Sequence, residues 1–221
     1  MELLVDVDDP YIAQIAMSFS DDNGITWQHK FITEQLKDHD IEGIFATSGT
    51  GAQIKDGEYR GRLLQTFVLR RNNELLSAIG YSDDHGQTWA LGAELQGGNE
   101  TAIIWLENSD LLLHSRANPF RIAATSNDGG LSLHSINQDY ALPDPSDNGS
   151  LLRLNNGQIL CTHNHDNALR KRTVLKKSFD KGKSWPEAIM VEADSSAYST
   201  SCELMDGSIG CLLYTSPSPR D

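Results

Sequence analysis

One eight-residue pattern recurs four times: SDDNGITW from Ser20, SDDHGQTW from Ser82, SNDGGLSL from Ser126 and SFDKGKSW from Ser178. The common form is Ser-x-Asp-x-Gly-x-Ser/Thr-Trp, with Leu133 replacing Trp in the third copy. Such a repeat marks a chain assembled from similar β units. Each box reads as a hairpin turn. Asp22, Asp84, Asp128 and Asp180 are expected to accept hydrogen bonds from turn N–H groups. Gly24, Gly86, Gly130 and Gly182 fall where the turn needs positive φ. Trp27, Trp89 and Trp185, with Leu133 as the smaller substitute, are expected to cover the hairpin base. Apolar or alternating segments precede the boxes and predict strands: IAMSF, LLSAIGY, FRIAAT and TVLKKSF. A propeller blade takes roughly 40–50 residues, so the 221 residues have room for four or five antiparallel four-stranded blades. The boxes themselves are assigned structure and no chemistry.

Composition narrows the function. There are 31 acidic and 18 basic residues, a net charge of −13, which argues against nucleic acid as a partner. No segment approaches the roughly 18 apolar residues of a membrane span. The opening MELLVDVDDP is acidic where a secretion signal is basic. Three irregularly spaced cysteines form neither a disulfide framework nor a zinc pattern. His163-Asn164-His165-Asp166 suggests metal ligation, but no second ligand group accompanies it, and it reads as a polar loop between strands. Asn99-Glu100-Thr101 and Asn148-Gly149-Ser150 fit a glycosylation sequon that is short and common. Ser48–Gln53 (SGTGAQ) is glycine-rich but lacks the strand–loop–helix context of a phosphate loop.

Five segments carry more specific information: FATSGTGAQIKDGEYRGRLLQ, YSDDHGQTW, NETAIIWLENSDLLLHSR, LPDPSDNGSLLR and AYSTSCELMDGSIG. With the boxes, and in the same order and spacing, they resemble the bacterial exo-α-sialidases. The resemblance covers nearly all of Asp6–Gly210. It implies a six-bladed propeller, of which this chain holds about four to five blades. It also implies a retaining glycosidase with a tyrosine nucleophile and no cofactor or metal. Expected partners are sialylated glycoproteins, glycolipids and oligosaccharides, at a secreted, periplasmic or cell-surface location. Sialic acid carries a carboxylate on its anomeric carbon, so a carboxylate nucleophile would meet like charge. A neutral tyrosine avoids that repulsion, and sialidases are a known exception to the two-carboxylate scheme. An adjacent carboxylate can take the phenol proton. By resemblance the nucleophile is Tyr198 and its partner Glu100. Arginine forks suit the substrate carboxylate. Arg116, sixteen residues after Glu100, and Arg170, eight before the fourth box, stand at the family's positions. Arg172 competes with Arg170, because strand alternation would put both on one face. Asn148 is expected to line the pocket near Arg116. Asn99 stands where the family often carries Asp, and SGTGAQ falls in the family's pocket region.

Two family elements lack a counterpart: the Phe-Arg-Ile-Pro segment with the first clamp arginine, and the early Asp that serves as general acid and base. Both belong before Ser20, and Asp6, Asp8 and Asp9 are poor substitutes. The end, CLLYTSPSPRD, matches a translated sequencing-library adapter. The expected organisation is therefore a partial propeller over residues 1–210 and non-native read-through over 211–221, with Tyr214 no catalytic candidate. Such a chain is expected to have little or no activity of its own. The alternatives are a non-catalytic glycan-binding or assembly propeller, and a trans-sialidase or anhydro-forming enzyme on the same scaffold.

Overall fold

The computed structural model describes residues 14–215. Asp6, Asp8, Asp9 and the closing segment 216–221 lie outside the described residues. Among the described residues, five antiparallel sheets follow one another. The first is a hairpin of β1 (Ala16–Phe19) and β2 (Gln28–Phe31). A helical turn, α1 (Thr33–Leu36), leads to the second sheet. There β3 (Ile41–Ala46), β5 (Leu63–Arg71), β6 (Glu74–Ser82) and β7 (Ala90–Gln96) lie in order, and the two-residue β4 (Ala52–Gln53) also pairs with β5. The third holds β8 (Thr101–Trp105), β9 (Leu111–Ser115), β10 (Phe120–Ser126) and β11 (His134–Pro143). The fourth holds β12 (Ser150–Arg153), β13 (Ile159–Asn164), β14 (Lys171–Ser178) and β15 (Glu187–Ser195). The last is a hairpin of β16 (Ala197–Glu203) and β17 (Ile209–Tyr214). The four predicted strands appear as β1, β6, β10 and β14, each ending at its box. The sheets are the blades of an incomplete β-propeller, as the boxes implied.

Strand alternation explains the stacking. Successive side chains on a strand face opposite sides of the sheet. In β9, Leu111 and Leu113 enter one core and Leu112 the next; in β8, Ile103 and Ile104 divide the same way. One core, including Ile15, Ile44, Phe67 and Leu76, lies between the first and second sheets. A second, including Leu64, Ile79 and Ile103, lies between the second and third. A third, including Leu112, Leu142, Leu151 and Trp185, lies between the third and fourth. The opening strands of successive sheets lie side by side, β8 beside β12 and β12 beside β16.

All four boxes have one hydrogen-bond pattern. In the first, the Thr26 N–H donates to Asp22 Oδ1 at 2.8 Å and the Thr26 hydroxyl to Oδ2 at 2.6 Å. Ser20 donates to Asp22, and its oxygen accepts the Gly24 N–H at 2.8 Å. The same set forms around Asp84, Asp128 and Asp180. The box glycines have φ of +83°, +84°, +93° and +83°, as the turn requires. The closing aromatics differ. Trp185 is buried and donates through Nε1 to Asp139, whereas the Trp27 ring is 54 % exposed and donates to the Gly24 carbonyl. Trp27 therefore lies over its own box turn while staying half-exposed, and Trp185 is sealed in the core between the third and fourth sheets. A correction concerns the histidine segment: His163 and Asn164 are buried residues of β13, not a loop.

Arg62 ties the second sheet to the third. Its fork donates to both oxygens of Asp83 at 2.8 and 2.7 Å, and Nη1 donates to the Gly129 carbonyl of the third box at 3.0 Å. The guanidinium also lies over the rings of Tyr59 and Tyr81, 4.1 and 4.3 Å from their centroids. Two aromatic contacts and a bidentate pair predict that Arg62→Ala costs about 2–3 kcal/mol in chemical denaturation. Arg62→Lys should recover less than half of that, since an ammonium cannot reproduce the fork.

The box carboxyls are held down to about 2 by the hydroxyl and backbone donors around them; at Asp128 those donors overcome burial, which acts to raise it. A depressed folded-state pKa contributes stability that is present above the ordinary value of 3.8 and lost as pH falls toward the folded value. Acid unfolding followed by tryptophan fluorescence should therefore set in steeply below pH 3.8. Asp84→Asn with Asp180→Asn should lower stability at neutral pH and give a shallower acid limb.

Candidate active site

The antiparallel register brings the predicted residues together. In the β8–β9 hairpin Thr101 pairs with Ser115, so Glu100 and Arg116 stand opposite one another just beyond it. The Arg116 N–H donates to the Glu100 carbonyl at 2.8 Å. The sixteen-residue spacing is thus a hairpin register. Asn148 lies two residues before β12, and Tyr198 is the second residue of β16. In the third and fourth sheets the boxes hang from the opposite ends of the strands.

Glu100 is buried. The Tyr198 hydroxyl donates to its Oε2 at 2.6 Å, and Arg116 Nη1 donates to the same oxygen at 2.7 Å. Arg116 Nη1 also reaches the Tyr198 oxygen at 3.1 Å. Phenol, carboxylate and guanidinium therefore form one closed triangle, with the short distances of charge-assisted hydrogen bonds. The Ser48 hydroxyl donates to Glu100 Oε1 at 3.1 Å. Ser48 belongs to the SGTGAQ segment, whose residue types alone do not signal this contact. Asn148 sits one step further out, its amide donating to the Ser48 carbonyl and hydroxyl, each at 2.8 Å. Its partner is Ser48, while Arg116 Nε donates to Ser146 at 3.1 Å. Gly149 must be glycine: a Cβ there would lie 2.6 Å from the Thr162 carbonyl.

Tyr198 has φ of +42° and sits at a bulge in the β16–β17 ladder, between Ala197 and Ser199. A bulge re-aims a side chain at the cost of ladder pairing. Arg170 lies over the Tyr198 ring, 5.6 Å from its centroid, and pairs with Asp147 at 3.2 Å. Arg172 behaves differently. It occupies a bulge between Lys171 and Thr173 with φ of +58°, so the alternation expected to align it with Arg170 is broken. Asn99 accepts the Glu100 N–H through Oδ1 at 2.8 Å, a local turn bond that needs no charge. Asn148 is buried, which fits poorly with glycosylation. A hollow of about 510 Å³ opens beside Tyr198, lined by Ser48, Gly49, Thr50, Asn148, Thr200 and Leu213, among others. A larger one, about 840 Å³, lies toward the third and fourth boxes and touches none of these groups.

Burial pushes the Tyr198 phenol up, its hydrogen bond to Glu100 and that carboxylate's charge add to the rise, and Arg116 and Arg170 oppose it. The proton therefore rests on the phenol. A raised folded-state pKa contributes stability below the ordinary 10.0 and loses it as pH rises through the folded value. Ultraviolet titration of the six tyrosines should show one class above 10.0. That class should vanish in Tyr198→Phe and move down in Glu100→Gln.

Residues 5–211 match the family described as BNR repeat-like domain. The chain is 33 % identical to a sialidase of Micromonospora viridifaciens over 93 % of its own length and 34 % of that protein's. It is 30 % identical to an anhydrosialidase of Macrobdella decora over 90 % of its length and 29 % of that protein's. The chain thus spans about a third of the length of the curated relatives it matches. In fold it is similar to the Hadza microbial sialidase Hz136, with a TM-score of 0.80 and 23 % identity, over 91 % of this chain and 42 % of that one.

Proposed function

From the premise that this chain belongs to the BNR repeat-like domain family, as a sialidase-family protein, we propose that Tyr198, Glu100, Arg116 and Arg170 are the nucleophile, base and carboxylate clamp of a retaining exo-α-sialidase. The carrying observation is the triangle in which the Tyr198 hydroxyl donates to Glu100 while Arg116 touches both. Residues 98 positions apart meet with one hydrogen already aimed from nucleophile to base. A core-packing tyrosine has no need of a buried carboxylate, and a solvated arginine has no need of either.

The chemistry follows from the charges. The substrate carboxylate binds the arginine forks beside the phenol. The Tyr198 oxygen attacks the anomeric carbon as Glu100 accepts its proton, and the bond to the leaving aglycone breaks. Arg116 and Arg170 favour the phenolate form as it develops, acting where charge appears in the transition state. The resulting glycosyl–tyrosine adduct is common to hydrolysis, transfer and anhydro-sugar formation, so the proposal stops there. Terminal sialic acid on glycoproteins, glycolipids or oligosaccharides is the proposed substrate class. The leaving-group acid has no assigned residue here, and the chain by itself is proposed to turn over natural sialosides slowly or not at all.

A reagent whose leaving group needs no proton separates nucleophile from acid. With 2,3-difluorosialic acid, the Tyr198 oxygen forms a bond to the anomeric carbon, the C–F bond breaks, fluoride departs and Glu100 takes the proton. Intact-mass and peptide mapping should find one sialosyl adduct on Tyr198 and none on Tyr140, which is 75 % exposed. Glu100→Gln should slow labelling by about 10²–10⁴-fold. Equal labelling of Tyr198→Phe would overturn the assignment.

A further inference from the structure

Behind the triangle lies a second, wholly buried layer that sequence reading did not single out. Asp147, in the loop between β11 and β12, is 1 % exposed. Its Oδ2 accepts the Tyr198 N–H at 2.9 Å. Its Oδ1 faces Arg170 Nε at 3.2 Å. The Asp147 backbone is itself fixed at both ends: its N–H donates to Asp144 Oδ1 at 2.8 Å, and its carbonyl accepts from Arg121 Nη1 at 2.9 Å. Arg121 and Asp144 form an ion pair at 3.0 Å in which both side chains are 1 % exposed. Arg121 Nη2 also donates to the His114 carbonyl, next to Ser115 at the end of β9.

We propose that Asp147 is a positioning residue that sets the distance between the nucleophile and the substrate clamp. It holds the Tyr198 backbone in its left-handed bulge with one oxygen and draws the Arg170 guanidinium by charge with the other, an ion pair without an aligned hydrogen bond. This rests on the roles proposed above for Tyr198 and Arg170. The argument is geometric. A tyrosine at φ of +42° is a sparsely populated state that persists only when its surroundings over-determine it. The bulge removes the Tyr198 N–H from the ladder, and a buried N–H requires a partner; Asp147 is that partner. Arg170 is 43 % exposed, so an unguided fork would sample many directions. Asp147 and the Ser146 carbonyl, which accepts from Arg170 Nη2 at 3.1 Å, leave it few. Buried as it is, Asp147 cannot touch substrate, and its carboxylate serves two site residues at once.

The two functions separate in two variants. In Asp147→Asn the amide oxygen still accepts the Tyr198 N–H, while the charge facing Arg170 is gone. In Asp147→Ala both are gone. With 2,3-difluorosialic acid, Asp147→Asn should raise the inhibition constant roughly tenfold and keep the maximal labelling rate within about threefold. Asp147→Ala should raise the constant and also lower the maximal rate by about 10²-fold, the scale of a misplaced reacting group. Amide exchange by NMR gives a readout independent of the reagent: the Tyr198 N–H should be protected in wild type and Asp147→Asn and lose protection in Asp147→Ala. A purely structural role would reduce the folded, labelling-competent fraction and leave both constants unchanged. That result, or an equally protected Tyr198 amide in Asp147→Ala, overturns the inference. If Asp147→Ala does not fold, Asp147→Asn decides through its inhibition constant. Wild-type protein that never labels at Tyr198 marks instead the failure of the parent reading.

Discussion

Burial on both faces of the second and third sheets is the constraint from which the remainder follows. Sheets that bury both faces need neighbours on both sides, and their strands carry apolar residues at successive positions. Ile103 and Ile104, or Leu111, Leu112 and Leu113, can all be buried only if each sheet stands between two others. Sheet twist then fans the stack. Stacking also brings the opening strands of neighbouring sheets side by side. The ends of those strands become a region where residues far apart in sequence meet without a long loop. Glu100, Asn148 and Tyr198 each stand at such an end.

Arg62 shows how the boxes join this stack as well as close their own hairpins. It engages the second box through Asp83 and the third through the Gly129 carbonyl. The joint is selective for arginine, because a planar fork is needed to reach two boxes while lying over two tyrosines. The boxes' serines have a similar double use, donating to the box Asp and accepting the box Gly N–H. Repeating one self-satisfied turn gives each of the first four sheets a rigid corner.

Much of this was legible in the residues. The boxes marked the hairpins and located β1, β6, β10 and β14, because the turn demands Asp and Gly chemistry at fixed offsets. Glu100, Arg116, Arg170 and Tyr198 were found through matched motifs, and they lie together. What escaped is equally physical. Period-two alternation assumes a regular strand, and the bulge at Arg172 breaks it. The bulge at Tyr198 could not be read either, since no glycine announces its positive φ. Ser48, Asp147 and the Arg121–Asp144 pair act through contacts across 52, 51 and 23 residues. Their types are common, so position alone gives no signal. His163 was read as a loop residue because a polar run resembles one. In fact it is buried with Asn164, whose amide is held by Ser196 and Thr173.

Charge balance explains how an acidic chain can hold an arginine-rich pocket. Glu100, Asp144 and Asp147 face Arg116, Arg121 and Arg170 one for one. Burial raises Asp144 and Asp147 against the arginines that lower them, so each buried carboxylate depends on its cation to stay charged. The pairs differ in exposure. Arg121–Asp144 is sealed, Arg116 is partly open, and Arg170 is the most open of the three arginines. This gradient runs from scaffold to pocket. A sealed pair fixes the Asp147 backbone, Asp147 contacts one open arginine and the Tyr198 N–H, and the open guanidiniums retain surface to offer an anion. An incoming carboxylate would share Arg116 with Glu100, whose pair with that arginine is the partly open one.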